Sequence, residues 1–342
     1  MSSIRRSWQL LPKVSRSFAL CIKVLPHPLS EQMMVSYLVY RVIDTIEDSS
    51  SPLSVKKALF SSFLSLLSAK KPDGLRAQKL SSQMLSSLSY TYERELLESL
   101  PQLMLAFRSQ TPQARQRILK WGHVMAKGMY EFQEKPIETF ADQDRYSYYV
   151  AGVIGNLFND LLHLNAIIGM RLKRKLSRFA RQFGLALQKV NILRDIADDI
   201  SSRRYYWPSK LLAKYGLDYS SICSASNRER ALAVLREQIA DARKYIDAAM
   251  QYILLLPKNA LRVRMFCLIP LFMAIESYVK CMDNREIFEE GKKVKITREQ
   301  VFEIVAKSKL YGTSNERLVR WFASSMGGVP SSAIADFSLS RR

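Results

Sequence analysis

Glycine and proline are scarce in this chain, with 12 of each among 342 residues. A protein built from β-sheets needs a turn signal about every ten residues, so this scarcity argues against an all-β fold. The stretches between these residues are rich in Leu, Ala, Ser, Gln, Lys and Arg, a composition that favours helix. The composition therefore predicts an all-α protein.

Cysteine and histidine are rarer still, with four and three residues. The cysteines are far apart and form no C-x-x-C pair, which argues against a disulfide framework or a zinc site and suits a reducing cytosol. None of the histidines lies in an H-E-x-x-H pattern, so each is predicted to be structural or exposed rather than a metal ligand.

Long apolar runs are absent. The longest, Met265–Ile275, contains Pro270 and falls short of the roughly 20 residues that span a bilayer. No apolar leader segment follows the N-terminal methionine. We therefore expect a cytoplasmic protein without a signal peptide or transmembrane anchor, in contact with a membrane only at its surface.

Acidic residues are outnumbered, with 31 Asp and Glu against 52 Lys and Arg, for a net charge of +21. Such a charge attracts polyanions, which include nucleic acids, phosphorylated substrates and anionic lipids. Basic residues are dense in residues 171–181, where Leu172, Leu176 and Phe179 recur at helical spacing. This pattern is typical either of a solvated helix face or of a helix lying on a membrane.

Proline and glycine divide the chain into helical lengths. Ser30 is predicted to cap a helix that runs to about residue 48, and the next helix ends near residue 69. Further helices are predicted at about 76–99, 112–134, 139–168, 172–201, 228–255, 258–282, 297–309 and 314–325. No repeat or long linker interrupts them, so we expect a single domain over residues 1–342 with a loose tail from about residue 328.

Two of these helices carry a stripe of acidic side chains. In the segment 37–48 (YLVYRVIDTIED), Asp44, Glu47 and Asp48 share one face with Tyr37 and Arg41. In the segment 188–199 (QKVNILRDIADD), one face carries the polar residues Gln188, Asn191, Asp195, Asp198 and Asp199. Either stripe alone is also typical of a solvated acidic face.

The two stripes together favour a metal site. Like charges one helical turn apart destabilise a helix unless a cation neutralises them. Carboxylate and amide oxygens are the ligands that Mg²⁺ prefers, and Mg²⁺ commonly shares its coordination shell with substrate phosphates. If the stripes face each other across a helical bundle, they are suited to clamp a diphosphate. A di-iron bundle would need Glu-x-x-His pairs, which the sequence lacks.

A third segment, 146–157 (YSYYVAGVIGNL), has an aromatic and aliphatic face that includes Tyr146 and Tyr149. Its other face, with Ala151, Gly152 and Gly155, would let a neighbouring helix approach closely. The pattern fits helix packing alone, or the wall of a long hydrocarbon pocket with a tyrosine hydroxyl near the chemistry.

Six segments, in order along residues 10–310, resemble squalene synthases. They are residues 15–18 (SRSF), 37–48, 146–152 (YSYYVAG), 184–195 (GLALQKVNILRD), 204–208 (RYYWP) and 266–275 (FCLIPLFMAI). The resemblance implies an all-α isoprenoid-synthase fold, a single helical bundle with a central cavity. It also implies a Mg²⁺-dependent head-to-head condensation of two farnesyl diphosphates to presqualene diphosphate, followed by reduction to squalene by NADPH.

The resemblance further implies roles for individual residues. Tyr146 would take part in the first half-reaction, and Phe266 would shield carbocations. The remaining positions fall into three groups. The metal ligands would be Asp44, Glu47, Asp48, Asp195, Asp198 and Asp199; the substrate-binding residues Ser15, Ser17, Phe18, Tyr37, Gln188, Asn191 and Arg204; and the NADPH-binding residues Arg16, Arg41, Arg194 and Lys295. The family commonly has Glu where Asp198 stands and a basic residue where Thr297 stands.

Three other functions fit parts of the sequence. A dehydrosqualene or phytoene synthase would not need NADPH, but such enzymes usually have DDxxD where this chain has Asp44-Thr-Ile-Glu-Asp48. A third enzyme would stop at presqualene diphosphate. A basic nucleic-acid-binding protein would explain the charge but not the acidic stripes, which repel phosphates in the absence of a metal. We therefore expect no nucleic-acid partner, and a monomer that contacts anionic membranes.

Overall fold

The computed structural model describes residues 2–71, 73–87 and 93–327, and within them every regular element is a helix. This confirms the all-α prediction. The backbone groups into two compact units. One contains the chain up to Lys135 together with Asn156–Lys173, and the other contains Pro136–Gly155 and the chain from Arg174 onward. The tail predicted from residue 328 lies outside the described residues.

The first unit is built from eight complete helices. They are α1 (Ser3–Val14), α2 (Arg16–Lys23), α3 (Leu29–Asp48), α4 (Leu53–Ser68), α5 (Gly74–Ser87), α6 (Arg94–Glu98), α7 (Leu100–Arg108) and α8 (Pro112–Glu131). Helix α3 is central because it packs against α1, α2, α4, α6, α7 and α8. Its apolar side chains are fully buried at Leu38, Val39, Val42, Ile43 and Ile46, which leaves its polar stripe on the remaining face.

The second unit holds the other elements. They are α9 (Phe140–Ser147), a π-helix (Tyr148–Gly152), the start of α10 (Val153–Leu164), most of α11 (Met170–Arg194), α12 (Ile196–Ser201), α13 (Ser209–Lys214), α14 (Arg228–Leu255), α15 (Leu261–Cys281), α16 (Arg298–Tyr311) and α17 (Asn315–Ser325), with 3₁₀ turns at Ala225–Asn227 and Arg285–Phe288. Helix α15 packs against α14 and α16, and Phe272 on α15 stacks on Trp321 of α17 with ring centroids 3.4 Å apart.

Besides the helix expected over 76–99, which is divided into α5 and α6, two helices that were predicted to be continuous are interrupted. The helix expected over 139–168 contains the π-helix Tyr148–Gly152, and the helix expected over 172–201 breaks at Asp195, whose φ and ψ are −104° and 16°. Hydrophobic periodicity is read over a window of many residues, so it does not reveal a departure from α-helical geometry that is confined to a few residues. Both interruptions fall in segments that the sequence singled out for function.

Several helix boundaries also differ from the prediction. Ser30 is not an N-cap: α3 begins at Leu29, and Ser30 already donates its backbone N–H to the carbonyl of Pro26. Helices α1, α2, α7 and α13 were not predicted. Proline misled the prediction, because Pro12 lies inside α1 and Pro101 occupies the first turn of α7, where the missing N–H costs little.

The small residues of the 146–157 segment do allow a close approach, and the neighbour is α11. A Cβ added at Gly155 would collide with the carbonyl oxygen of Ala180, and one at Gly184 would collide with the carbonyl oxygen of Ala151. At Gly152 an added Cβ would lie 2.8 Å from Leu185 Cδ1. The π-helix is therefore held directly against the backbone of α11.

Replacing Gly184 by alanine should destabilise the protein, although Gly→Ala ordinarily favours a helix interior. The new methyl group would meet backbone, which cannot rotate away, so we expect the free energy of unfolding to fall by about 1–3 kcal/mol. Urea unfolding followed by circular dichroism would measure it. Gly169→Ala is the matched control, because no atom lies within 4 Å of its added Cβ. Equal stability of the two variants would contradict the close packing.

Candidate active site

The acidic stripe of α3 is neutralised by basic side chains. Arg41 forms ion pairs with Asp44, one turn away, and with Glu93, and its Nε donates to Glu93 Oε1 at 3.2 Å. Burial alone would lower the pKa of Arg41, but the charges of Asp44 and Glu93 outweigh burial and raise it. Arg41 is therefore a permanent cation beside the predicted metal ligands.

A second cation lies near Glu47 and Asp48, at the C-terminal end of the same stripe. The Lys56 ammonium is buried and donates to the backbone carbonyl of Glu47 at 2.6 Å. Burial lowers the pKa of Lys56, while the charges of Glu47 and Asp48 act in the opposite direction. The sequence analysis missed both Lys56 and Glu93. No local pattern marks these residues, since each reaches the stripe through the fold.

Three predicted substrate-binding residues gather at the other end of this stripe. The Ser15 hydroxyl caps α2 by accepting the N–H of Phe18 at 3.2 Å, and the rings of Phe18 and Tyr37 lie 5.4 Å apart. Burial raises the pKa of Tyr37, and a hydrogen bond with Ser15 opposes that rise. Arg16 and Ser17 are exposed on the first turn of α2.

The second stripe lies across the break between α11 and α12, and each of its carboxylates also has a basic partner. Arg194 binds Asp195 with two hydrogen bonds, from Nε at 2.8 Å and from Nη2 at 2.6 Å. Asp199 is buried and lies 3.4 Å from Nη2 of Arg204. The backbone N–H of Arg204 also donates to the Asp199 carbonyl at 2.7 Å, which ties the 204–208 segment to this cluster. Gln188 is half-buried and Asn191 exposed on α11.

The basic loop 292–298 docks on this second cluster. Lys293 Nζ lies 2.7 Å from Asp198 Oδ2 and is close enough to Asp195 and Arg194 for their charges to shift its pKa. The hydrogen bond from Lys293 lowers the pKa of Asp198. Lys295 lines an adjacent open cleft of about 240 Å³ together with Lys280, Lys292 and Lys293. The sequence analysis assigned this loop to a cofactor and did not foresee its contact with Asp198.

Tyr146 and Phe266, the two predicted catalytic aromatics, are both buried, at 3% and 8% exposure. Tyr146 is on the last turn of α9, immediately before the π-helix, and its ring stacks on that of Tyr206 with centroids 4.8 Å apart and planes 19° apart. Phe266 is on α15. Burial of both rings matches what a carbocation reaction needs, since water would quench the cation.

The donor chemistry of both clusters suits Mg²⁺, which binds carboxylate oxygen and usually completes its shell with water and substrate phosphates. Among residues 2–71, 73–87 and 93–327, no three acidic, histidine or cysteine side chains converge at metal-binding spacing. Basic side chains instead form ion pairs with four of these carboxylates, those of Asp44, Asp195, Asp198 and Asp199.

The family model for squalene/phytoene synthases matches residues 11–300. The chain belongs to the squalene/phytoene synthase family. It is 30% identical to the squalene synthase of Schizosaccharomyces pombe over 325 residues, which is 90% of this chain and 65% of that protein. It is also 30% identical to the Homo sapiens squalene synthase over 300 residues, 86% of this chain and 67% of that one.

The fold agrees with this membership. The structure of TcSQS in complex with a ligand superposes with a TM-score of 0.83 at 27% identity, covering 98% of this chain and 96% of that one. The chain spans about 65% of the length of the fission yeast relative. In the part of the chain that the structure describes, no helix is both long and apolar enough to cross a membrane.

Lys293→Met should return the pKa of Asp198 towards its usual value near 4, because it removes the hydrogen bond that lowers that pKa. A pH titration of the carboxyl ¹³C shift would measure the change, with Lys292→Met as the control. The ion pair between Lys293 and Asp198 stabilises the folded protein at pH values above the usual pKa of an Asp carboxyl. This stabilisation is lost as the pH falls through the lowered pKa of Asp198 in the folded protein. At neutral pH Lys293→Met should therefore cost under about 1 kcal/mol, since the pair is solvent-screened. An unchanged pKa would contradict the contact.

Proposed function

We propose that this protein is a squalene synthase. It joins two farnesyl diphosphates head to head, with loss of one diphosphate and a proton, to give presqualene diphosphate. It then removes the second diphosphate and delivers a hydride from NADPH to give squalene. The observation that carries the proposal is the pair of acidic clusters, on α3 and on α11–α12, in a chain 30% identical to squalene synthases.

Asp44, Glu47 and Asp48 would supply carboxylate ligands to one Mg²⁺ site, and Asp195, Asp198 and Asp199 to another. When bound, Mg²⁺ supplies the positive charge that stabilises a departing diphosphate. Arg41, Arg194 and Arg204 form ion pairs with three of these carboxylates, and Lys56 binds the backbone carbonyl of Glu47. Their side chains keep the ligands oriented and add cationic donors for phosphate oxygens.

The remaining site residues bind and orient the substrates. Ser15, Ser17, Phe18, Tyr37, Gln188, Asn191 and Arg204 contact the diphosphates and the first part of the prenyl chains. The Tyr146 hydroxyl assists the first half-reaction, where a proton is lost. The Phe266 ring lies beside the carbocations that follow ionisation, because the face of an aromatic ring attracts positive charge.

NADPH binds through fixed cations. Lys295 belongs to a cleft lined by four lysines and one carboxylate, that of Glu286, and this excess of positive charge suits the phosphates of the cofactor. Arg16, which is exposed, Arg41 beside Asp44, and Arg194 beside Asp195 are the other proposed NADPH-binding residues. Hydride delivery from NADPH separates a squalene synthase from a synthase that forms dehydrosqualene.

Product analysis by gas chromatography, after incubation with farnesyl diphosphate and Mg²⁺, tests the function. With NADPH we expect squalene. Without NADPH, presqualene diphosphate should accumulate, with little dehydrosqualene. If the same conjugated triene forms with and without NADPH, the protein is a dehydrosqualene synthase and the proposal is wrong.

Asp44→Asn and Asp195→Asn should each lower turnover by about 10²-fold or more, a loss of roughly 3 kcal/mol of transition-state stabilisation. The amide keeps the shape of the side chain and removes the charge that a metal ligand needs. Steady-state kinetics at saturating Mg²⁺ would measure it. Asp247→Asn is the control, since Asp247 forms a comparable ion pair, with Arg243 at 2.9 Å, outside both clusters. If Asp44→Asn and Asp195→Asn both turn over substrate as fast as Asp247→Asn, the assignment of Asp44 and Asp195 as metal ligands is wrong.

The product is insoluble in water, so the protein delivers it into a bilayer, which the basic face of α11 contacts from the membrane surface. Arg171, Arg174, Lys175 and Arg178 are exposed on that helix, and Met170 at its start is 46% exposed. Lys173, which the sequence placed in the same patch, is instead half-buried and ion-paired with Asp160 at 2.6 Å. It is therefore not part of the proposed membrane face.

Vesicles containing anionic lipid should bind the protein at low salt and release it as salt screens the charge over a Debye length of about 8–10 Å. Replacing Arg174, Lys175 and Arg178 by Glu should weaken binding in a sedimentation assay. The same reversal at three exposed lysines elsewhere, Lys23, Lys120 and Lys127, should weaken it much less. Equal effects of the two triple variants would contradict a membrane face on α11.

A further inference from the structure

A lysine is buried in the middle of the second unit, next to a predicted substrate-binding residue. Lys189 follows Gln188 on α11, and its side chain is only 2% exposed. A buried ammonium group costs several kcal/mol unless it is paired and hydrogen-bonded. Nothing in the function proposed above uses Lys189, although α11 ends at Arg194, directly before Asp195 of the second acidic cluster.

The Lys189 ammonium is fully paired, by groups from two other helices. It donates to Asp241 Oδ2 on α14 at 2.5 Å and to Gln143 Oε1 on α9 at 2.9 Å. It also lies 2.6 Å from Asp144 Oδ1, an ion pair that lacks the alignment of a hydrogen bond. The Tyr245 hydroxyl donates to the other oxygen of Asp144. One cation thus connects three helices.

Gln143 connects this hydrogen-bond network to Tyr146, the proposed catalytic tyrosine. It is fully buried, and its side-chain amide donates to the backbone carbonyl of Tyr206 at 3.0 Å. The ring of Tyr206 stacks on Tyr146. Gln143 and Tyr146 are also one turn apart on α9. Gln143 therefore influences the position of the Tyr146 ring by two routes. One route is the shared helix α9, and the other is the ring of Tyr206.

Stability alone does not account for such a network. Replacing a buried ion pair by apolar side chains of similar volume is often neutral or stabilising, so burial of Lys189 with Asp241 is weak evidence for a role in stability. A fully satisfied polar network does, however, hold its members in one arrangement. The π-helix that begins two residues after Tyr146 is an irregular segment that needs this kind of support.

We propose that Lys189 is a positioning residue, which fixes Tyr146 for the first half-reaction through Gln143 and Tyr206. This inference rests on the proposed function, and in particular on the role of the Tyr146 hydroxyl. Lys189 does not touch the substrate. Its effect on the reaction should therefore exist only while Tyr146 has its hydroxyl.

A double-mutant cycle tests this dependence. The formation of presqualene diphosphate is measured for the wild-type protein, Lys189→Met, Tyr146→Phe and the double variant. We expect Lys189→Met to slow the reaction by at least about 10-fold when Tyr146 is present, because small displacements of a catalytic group are costly. In the Tyr146→Phe background the same change should have less than about a 2-fold effect. Lys244→Met is the control, since Lys244 also pairs with Asp241, at 3.1 Å, but is 71% exposed.

A spectroscopic measurement separates positioning from general damage. All tyrosines are replaced by 3-fluorotyrosine, and the ¹⁹F signal of Tyr146 is assigned as the signal that is missing from the spectrum of Tyr146→Phe. Lys189→Met and Gln143→Met should shift that signal by more than its linewidth, and Lys244→Met should not. Because Gln143→Met leaves the Lys189–Asp241 pair in place, it reports on the link to Tyr206 even if Lys189→Met folds poorly.

The outcomes distinguish the two proposals. A wild-type protein that forms no presqualene diphosphate overturns the proposed function, and the positioning role with it. An active wild-type protein in which Lys189→Met slows the reaction equally in both backgrounds overturns the positioning role alone. An unshifted Tyr146 signal in both network variants does the same.

Discussion

The requirement to neutralise carboxylates on partly buried helices governs the structure around both acidic clusters. Asp44 shares Arg41 with Glu93, Asp195 is bound by Arg194, Asp198 by Lys293, and Asp199 by Arg204. Negative charges this close on a helix repel one another, and removing them from water adds to the cost. The basic side chains relieve both effects, and so hold the carboxylates in place.

Backbone irregularity accompanies the same regions. The chain leaves α-helical geometry at Asp195 and at Tyr148–Gly152, and Gly155 and Gly184 let the backbones of two helices touch. Regular helices would carry the side chains of each segment around at a fixed 100° per residue. A break or a π-turn changes the direction in which the following side chains point. The charged and polar networks around Lys189 and Asp198 stabilise these irregular backbone segments.

Sequence patterns predicted the helical class, the end of α4, the bounds of α14 and α15 to within three residues, and the acidic face of α3, because these features repeat with the helical period. They did not predict α1 and α7, where proline is tolerated near a helix end, or the π-helix, which shifts the period by one residue. Lys56, Glu93 and Lys293 also escaped prediction, whereas Arg41, Arg194 and Arg204 were singled out from the sequence for other roles. Glu93 contacts Arg41 across 52 positions and Lys293 reaches Asp198 from another element, and no local spacing encodes such contacts.

The account depends on carboxylates that bind the diphosphate of the substrate only through a divalent cation. Isothermal titration calorimetry with farnesyl thiodiphosphate, an analogue whose diphosphate leaves slowly, tests this directly. We predict tight binding in the presence of Mg²⁺ and a loss of most of the affinity in EDTA, since clusters of carboxylates repel an unshielded diphosphate. Equal affinity with Mg²⁺ and with EDTA would show that the basic side chains alone hold the substrate, and would contradict the account.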